Sequence, residues 1–208
     1  MQSLTDAEVA HLGSGGVVVR DAAFGTPLAL QARDLLATWL ASGRLTSAGT
    51  GRRGASTRHR GDLTTWVEED AAEPLGSVFL AFAELMPMLS QDLRIGLQRF
   101  ALQAACYQDG AAYHRHVDAF RGDPSRRVTV IWYLNPDWTA EVGGALRVWR
   151  KGVAEDVDPL LDRMVIFLSD QVPHEVLAAQ GPRFALTAWY RGPEPLPLLP
   201  DLDVVPSL

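Results

Sequence analysis

The chain has 208 residues, a net charge of −6 and a hydrophobic fraction of 47%, which is ordinary for a globular protein that buries its own core. The acidic balance argues against nucleic acid as a partner, and the single cysteine, Cys106, excludes an intrachain disulfide and favours a reducing compartment. Neither a leader peptide nor an apolar run long enough to span a membrane is predicted, so we expect a cytoplasmic protein, as a monomer.

The first 93 residues are predicted to mix helices and strands around one polar loop. Apolar spacing and end signals predict helices at 5–13, 26–43 and 73–93, and β-branched runs predict strands at 16–24 and 62–69. We expect Pro87 to kink or end the third helix. The glycine-rich, basic stretch at 47–61 is either a solvated loop or a loop that closes over a partner.

From residue 94 onward the sequence has the texture of an all-β module. Strands are predicted near 97–107, 112–118, 126–134, 145–149, 163–167, 174–177 and 183–191, with glycine, proline and asparagine between them. Short strands at such spacing are typical of a β-sandwich or barrel. The proline-rich tail 192–208 is predicted to be extended, so we interpret residues 1–208 as a single domain with its core at 94–191.

A candidate metal site lies in the segment YHRHVD. His116 and Asp118 are two residues apart, so on a strand they would face the same way. A single such pair is weak evidence, but His174 at the start of a later predicted strand supplies a second imidazole. Two histidines and one carboxylate form the facial triad of non-haem iron(II) oxygenases, although zinc would also accept these ligands. His114 shares the period of two and is an alternative ligand, but we expect it at the pocket mouth or surface.

Arg183 lies nine residues after His174, inside the apolar strand PRFALTAWY. A buried guanidinium needs an anionic partner, and it can grip a carboxylate with two parallel hydrogen bonds. Either a local acidic side chain or the far carboxylate of a metal-chelating dicarboxylate would meet this need. Thr187, four residues on and on the same face, can donate a hydroxyl hydrogen bond.

The ordered motifs CYQDGAAYHRHVD, RRVTVIWYLNPDW, GGALRVW, DRMVIFLSDQVPHEV and PRFALTAWY resemble prolyl hydroxylases of the hypoxia-sensing type and their bacterial relatives. The resemblance covers residues 94–191, with an upstream match at RGDLTTWVE. It implies a mostly β fold, a double-stranded β-helix (jelly roll) with flanking helices. It also implies iron(II) at the triad, 2-oxoglutarate and dioxygen as co-substrates, and ascorbate as an optional accessory.

The resemblance also assigns roles around the metal. It implies that Arg183 holds 2-oxoglutarate with help from Tyr133 and Thr187, and that Tyr107 lines the same pocket. Two departures, the turn QDGAA and Trp132 where the family often has tyrosine, are expected to affect pocket shape.

On the substrate side, the resemblance implies that loop 47–62 folds over a peptide, with Arg60 and Asp62 at its end. Arg126 and Trp189 are predicted substrate contacts; their alternatives are a surface charge and a core aromatic.

The resulting hypothesis is a dioxygenase that hydroxylates a prolyl residue, at C4, in a protein substrate, with succinate and CO2 as co-products. Elongation factor Tu is a candidate substrate by resemblance. Two alternatives stay open: a small-molecule or free amino-acid hydroxylase of the same superfamily, and a metal-binding jelly-roll sensor without turnover. The sensor would need neither Arg183 nor a substrate loop.

Overall fold

The computed structural model describes residues 2–47, 60–119 and 125–193. Its helices are α1 (Asp6–Gly13), α2 (Thr26–Ala41) and α3 (Leu75–Asp92), so the three predicted helices are confirmed. Helix α1 begins in a capping box, because Thr5 and Glu8 exchange side-chain-to-backbone hydrogen bonds. None of the helices in the described ranges is long and apolar enough to cross a membrane.

Helix α3 continues through Pro87 to Asp92, so the expectation that this proline ends the helix was wrong. Proline removes one backbone hydrogen bond from a helix interior. The buried stripe extends past it, with Leu85 before and Leu89 after the proline, and this burial holds the last turn in place.

Eleven strands follow in the described residues: β1 (Val18–Arg20), β2 (Thr46–Ser47), β3 (Leu63–Val67), β4 (Arg99–Tyr107), β5 (Tyr113–His116), β6 (Arg126–Tyr133), β7 (Leu146–Arg150), β8 (Val153–Val157), β9 (Met164–Leu168), β10 (His174–Val176) and β11 (Arg183–Arg191). Every strand predicted beyond residue 94 is present. Strands β2 and β8 were missed. Four of the five residues of β8 are exposed, so it carries no apolar alternation for a pattern to detect.

The strands form two antiparallel sheets. The large sheet has the order β1-β9-β6-β11-β4-β3-β2, and the small sheet has the order β5-β10-β7-β8. Apolar side chains of both sheets pack into one cluster between them, which includes Ala105 and Ala185 from the large sheet and Leu146 and Val148 from the small one. The predicted mostly β jelly roll with flanking helices is therefore confirmed.

The outer face of the large sheet packs on the helices, and the inner face lines a pocket. Strand β11 displays both faces by its period of two. Its even-numbered residues from Phe184 to Tyr190 belong to the core shared with the helices. Its odd-numbered residues line the pocket: Arg183, Ala185, Thr187 and Trp189.

Trp132 lies on the helix side of the large sheet and not in the pocket, which corrects the expectation that it affects pocket shape. Its indole nitrogen donates to the buried carboxylate of Asp162 at 2.9 Å. The same carboxylate accepts from the backbone nitrogens of Phe24 and Gly25 at 2.9 and 2.8 Å. Trp132 therefore helps to fix the segment that leads into α2.

Candidate active site

His116, Asp118 and His174 converge at one point of the pocket. The pairing of β5 with β10 places His116 directly opposite His174. The two Nε2 atoms lie 3.7 and 3.8 Å from the two carboxylate oxygens of Asp118. One candidate ligand atom from each residue lies within 4.8 Å of the other two. Strand β5 ends at His116, so Asp118 reaches the cluster from the following bend and not from the strand that the sequence predicted.

The tautomers of both histidines are fixed by backbone carbonyls. Nδ1 of His116 lies 2.8 Å from the carbonyl oxygen of His114, and Nδ1 of His174 lies 2.9 Å from that of Val172. Because a carbonyl can only accept, both Nδ1 atoms carry the proton and donate. The Nε2 lone pairs therefore face Asp118, which is the arrangement that metal-binding histidines adopt.

Asp118 is buried, and a polar pair behind it fixes its orientation. The hydroxyl of Thr129 donates to Oδ2 of Asp118 at 2.7 Å, and it lies 2.9 Å from the hydroxyl of Ser169. Sequence reasoning missed both residues. The available signal was a polar side chain inside the otherwise apolar run VTVIWY of β6.

The charges of the cluster suit a cation. Burial, and next the neighbouring His174, lower the pKa of His116 to about 4, so this imidazole is neutral at pH 7. Burial alone would raise the pKa of Asp118, but His174, His116 and the Thr129 hydrogen bond hold it below its ordinary value. The Nε2 lone pairs of the two histidines therefore face the Asp118 carboxylate, and no hydrogen-bond donor of these three side chains lies between them. A divalent metal ion resolves this arrangement, so the residues fit iron(II).

Arg183 lines the same pocket and is buried, with 3% of the residue exposed. It donates to the carbonyl oxygen of Gly144 at 3.1 Å, and it forms no ion pair with any carboxylate in the described part of the chain. The alternative prediction, a salt bridge with a local acidic side chain, is therefore not found among the described residues. A buried cation of this kind calls for an anionic ligand.

The tyrosines predicted for the co-substrate pocket flank Arg183. Its guanidinium carbon lies 5.0 Å from the ring centre of Tyr107 and 4.8 Å from that of Tyr133. Burial raises the pKa of Tyr133 to about 12 and raises that of Tyr107, so both hydroxyls remain protonated donors. The Tyr133 hydroxyl is buried without a hydrogen-bond partner among the described residues. Thr187 also lines the pocket. The register places it opposite Ile131, between the level of Tyr133 and that of Thr129, the partner of Asp118.

Arg60 and Asp62 form a buried ion pair in the pocket wall. Nε and Nη2 of Arg60 donate to the two carboxylate oxygens of Asp62 at 2.6 and 2.9 Å, and Nη2 also donates to Oε1 of Gln103 at 2.8 Å. The Arg60 guanidinium lies 5.0 Å from the ring centre of Tyr113, which stacks on His116 at 3.8 Å. Gln103 and Tyr113 are further pocket residues that the sequence analysis missed. Residues 48–59 of the predicted loop lie outside the described residues.

Arg126 packs against Trp189, one of the residues that line the pocket. The Arg126 guanidinium lies 4.5 Å from the centre of the Trp189 ring, and Trp189 contacts Trp66 edge to face at 6.1 Å. Trp189 is buried at 7% exposure, whereas Trp66 is 50% exposed. His114 is exposed and lies outside the three-residue cluster, in agreement with the prediction of a surface position.

Comparisons with known proteins identify the family of the chain. A family model described as the 2OG-Fe(II) oxygenase superfamily matches residues 102–191. A prolyl-4-hydroxylase of Pseudomonas putida has a crystal structure 34% identical in sequence, with a TM-score of 0.81 over 90% of this chain and 98% of that one. A Trichoplax adhaerens prolyl hydroxylase, solved in complex with a hypoxia inducible factor oxygen degradation domain peptide fragment, is 27% identical, with a TM-score of 0.81 over 89% and 87%.

Among curated proteins, Egl nine homolog 1 of Rattus norvegicus is 43% identical over 141 residues, which is 63% of this chain and 41% of that protein. This chain thus spans about two fifths of that relative's length. The resemblance read from the five motifs is confirmed, and the chain belongs to the 2-oxoglutarate- and iron(II)-dependent oxygenase superfamily, as a relative of its prolyl hydroxylases.

Proposed function

We propose that this protein hydroxylates a prolyl residue of a protein substrate, with consumption of 2-oxoglutarate and dioxygen and release of succinate and CO2. The observation that carries the proposal is the pairing of the histidine–aspartate cluster with Arg183, a buried cation without a carboxylate partner in the described residues. A metal-binding sensor would not need this second charge. The likeness to two prolyl hydroxylase structures supports the choice of proline.

His116, Asp118 and His174 would hold iron(II), and a site with only three protein ligands would leave room at the metal for 2-oxoglutarate and dioxygen. Bound iron(II) supplies the oxidative chemistry that inserts one oxygen atom of dioxygen into a C–H bond while 2-oxoglutarate is decarboxylated. The carbonyl groups of His114 and Val172 hold the imidazoles in one tautomer, and Thr129 holds the carboxylate. These contacts keep the donor atoms aimed at one point.

Arg183 would bind the far carboxylate of 2-oxoglutarate, and the unpaired Tyr133 hydroxyl would donate to the same group. Thr187 and Tyr107 would line the path between that carboxylate and the metal. The apolar cluster between the sheets borders this path and lowers the local polarity, which strengthens each of these polar contacts.

The substrate would contact Arg60 and Asp62 of the pocket wall and the neighbouring pair Arg126 and Trp189, which we propose as its binding residues. Elongation factor Tu is a candidate substrate. We also propose C4 as the hydroxylated position, a cytoplasmic monomer in keeping with the single cysteine, and ascorbate as an accessory reductant in assays.

The test incubates purified protein, iron(II) and 2-oxoglutarate in air with overlapping proline-containing peptides of elongation factor Tu, unrelated proline peptides and free proline. We expect mass spectrometry to find one added oxygen atom on a peptide proline, with an equal amount of succinate. Hydroxylation of free proline alone would instead support the small-molecule alternative. Absence of 2-oxoglutarate turnover with every substrate would support a sensor.

A further inference from the structure

Gln103 is a polar side chain of β4 that has no role in the metal or 2-oxoglutarate binding proposed above. It is 7% exposed and lines the same pocket as Asp118 and Arg183. The strand register places it between Trp66 of β3 and Thr187 of β11. Gln103 therefore lies between the proposed co-substrate path and an exposed tryptophan, on the route by which a peptide would approach.

The orientation of the Gln103 amide is fixed by Arg60. Nη2 of Arg60 donates to Oε1 of Gln103 at 2.8 Å, and because arginine has no acceptor, the amide oxygen and not the nitrogen must face it. Arg60 is held in turn by both carboxylate oxygens of Asp62. This ion pair fixes the amide before any ligand arrives, so Nε2 of Gln103 is a pre-oriented donor.

Nε2 of Gln103 has no acceptor among the described residues, although the side chain is more than nine-tenths buried. The nitrogen is not among the fully enclosed unpartnered atoms of the described residues, so it can be reached from the pocket that Gln103 lines. Arg60 has its counter-ion in Asp62, so charge balance does not require the glutamine. An acceptor supplied by a ligand would complete the site.

The chemistry of proline makes such a donor useful. A prolyl residue has no backbone N–H, so its backbone offers a binding site only carbonyl acceptors. We infer that Nε2 of Gln103 donates a hydrogen bond to the backbone carbonyl of the residue that precedes the target proline. This contact would select a peptide over free proline. The inference rests on the proposed function. Free proline lacks the carbonyl of a preceding residue and therefore binds more weakly.

Two substitutions separate this role from a purely structural one. Gln103→Glu keeps an oxygen acceptor for Arg60 but replaces the donor nitrogen with a second oxygen, which repels a carbonyl. Gln103→Met removes both functions at similar volume. Gln31→Glu, on the exposed face of α2, makes the same charge change away from the pocket and is the matched control.

The measurement is the KM for a proline peptide that the wild-type protein hydroxylates, at pH 8, with the thermal shift induced by 2-oxoglutarate as a readout without peptide. Loss of one hydrogen bond of about 1.4 kcal/mol corresponds to a tenfold change. We expect Gln103→Glu and Gln103→Met each to raise the peptide KM tenfold or more, and Gln31→Glu to leave it unchanged. The 2-oxoglutarate shift of Gln103→Glu should stay near that of the wild type.

A structural role predicts another pattern: Gln103→Glu would keep the wild-type KM, and only Gln103→Met would lower the melting temperature. That result overturns the inference and leaves the proposed function standing. If none of the proline peptides supported 2-oxoglutarate turnover by the wild-type protein, the proposed function and the inference would both fail.

Discussion

Arg183→Met should make the protein more stable and its co-substrate binding much weaker. Arg183 is 3% exposed and has no carboxylate partner in the described residues. A buried charge costs several kcal/mol, which the hydrogen bond to Gly144 and the rings of Tyr107 and Tyr133 offset in part. We expect a net gain of about 1–2 kcal/mol from the neutral side chain, or a rise of roughly 2–8 °C in Tm without 2-oxoglutarate.

When 2-oxoglutarate is bound, the wild-type protein should be more stable than Arg183→Met. Removing one partner of a buried ion pair costs about 3–5 kcal/mol, because the carboxylate that remains is left without a counter-charge. The KM for 2-oxoglutarate should therefore rise at least about a hundredfold. Saturating 2-oxoglutarate should raise the Tm of the wild-type protein and leave that of Arg183→Met nearly unchanged.

The assay is thermal unfolding with and without 2-oxoglutarate, paired with steady-state succinate release. Arg147→Met is the control, because Arg147 pairs with Asp156 at the surface at 2.7 and 2.8 Å, where an ion pair contributes at most about 1 kcal/mol. The control should keep the wild-type KM and lose little stability. An Arg183→Met protein with an unchanged KM for 2-oxoglutarate would refute the assignment of Arg183 as the carboxylate anchor.

Three further predictions concern other parts of the chain. His174→Ala should lower iron(II) affinity in calorimetric titration by at least about a hundredfold, above the range for outer-shell partners, whereas His114→Ala should not; equal losses would contradict the ligand assignment. The hydrogen bonds that Glu8 accepts from Arg20, and next from the backbone of Thr5, lower the pKa of Glu8 from 4.5 to about 2, so these contacts stabilise the fold above pH 4.5 and the effect is lost as pH falls toward 2. Glu8→Gln should cost about 1 kcal/mol at pH 7 in urea unfolding and progressively less toward pH 3; a constant difference would argue against linkage. Burial raises the pKa of Cys106 to about 12, so a thiol reagent at pH 8 should modify it only after unfolding; rapid labelling of the native protein would show that the thiol is accessible.

The candidate site could be predicted from the sequence where a short motif carries its own chemistry. The two-residue spacing of His116 and Asp118, a second histidine before a strand, and an arginine in an apolar strand each break a local pattern in a way that requires a ligand. The structure brings these residues together in one pocket. Residues that bind only to those side chains, such as Thr129, had a weaker signal, because one hydroxyl in a strand is common.

Polar residues near the site were missed because their partners are distant in sequence. Gln103 meets Arg60, which is 43 positions away, and no local pattern reports such a contact. Trp132 was expected to affect pocket shape because it stands where the family it resembles often has tyrosine. Adjacent residues of a strand face opposite sides of the sheet, and the structure places Trp132 on the helix side.

The sequence by itself determined the helices, the strands with an apolar face, and the histidine–aspartate and arginine motifs, because propensity, alternation and ligand chemistry act over a few residues. Only the tertiary structure decided the order of strands in the two sheets, the absence of a carboxylate partner for Arg183 in the described residues, and the direction of the Gln103 amide. These features depend on contacts between strands that are far apart in the chain. The pairing of the strands and the packing of the two sheets decide which residues make those contacts.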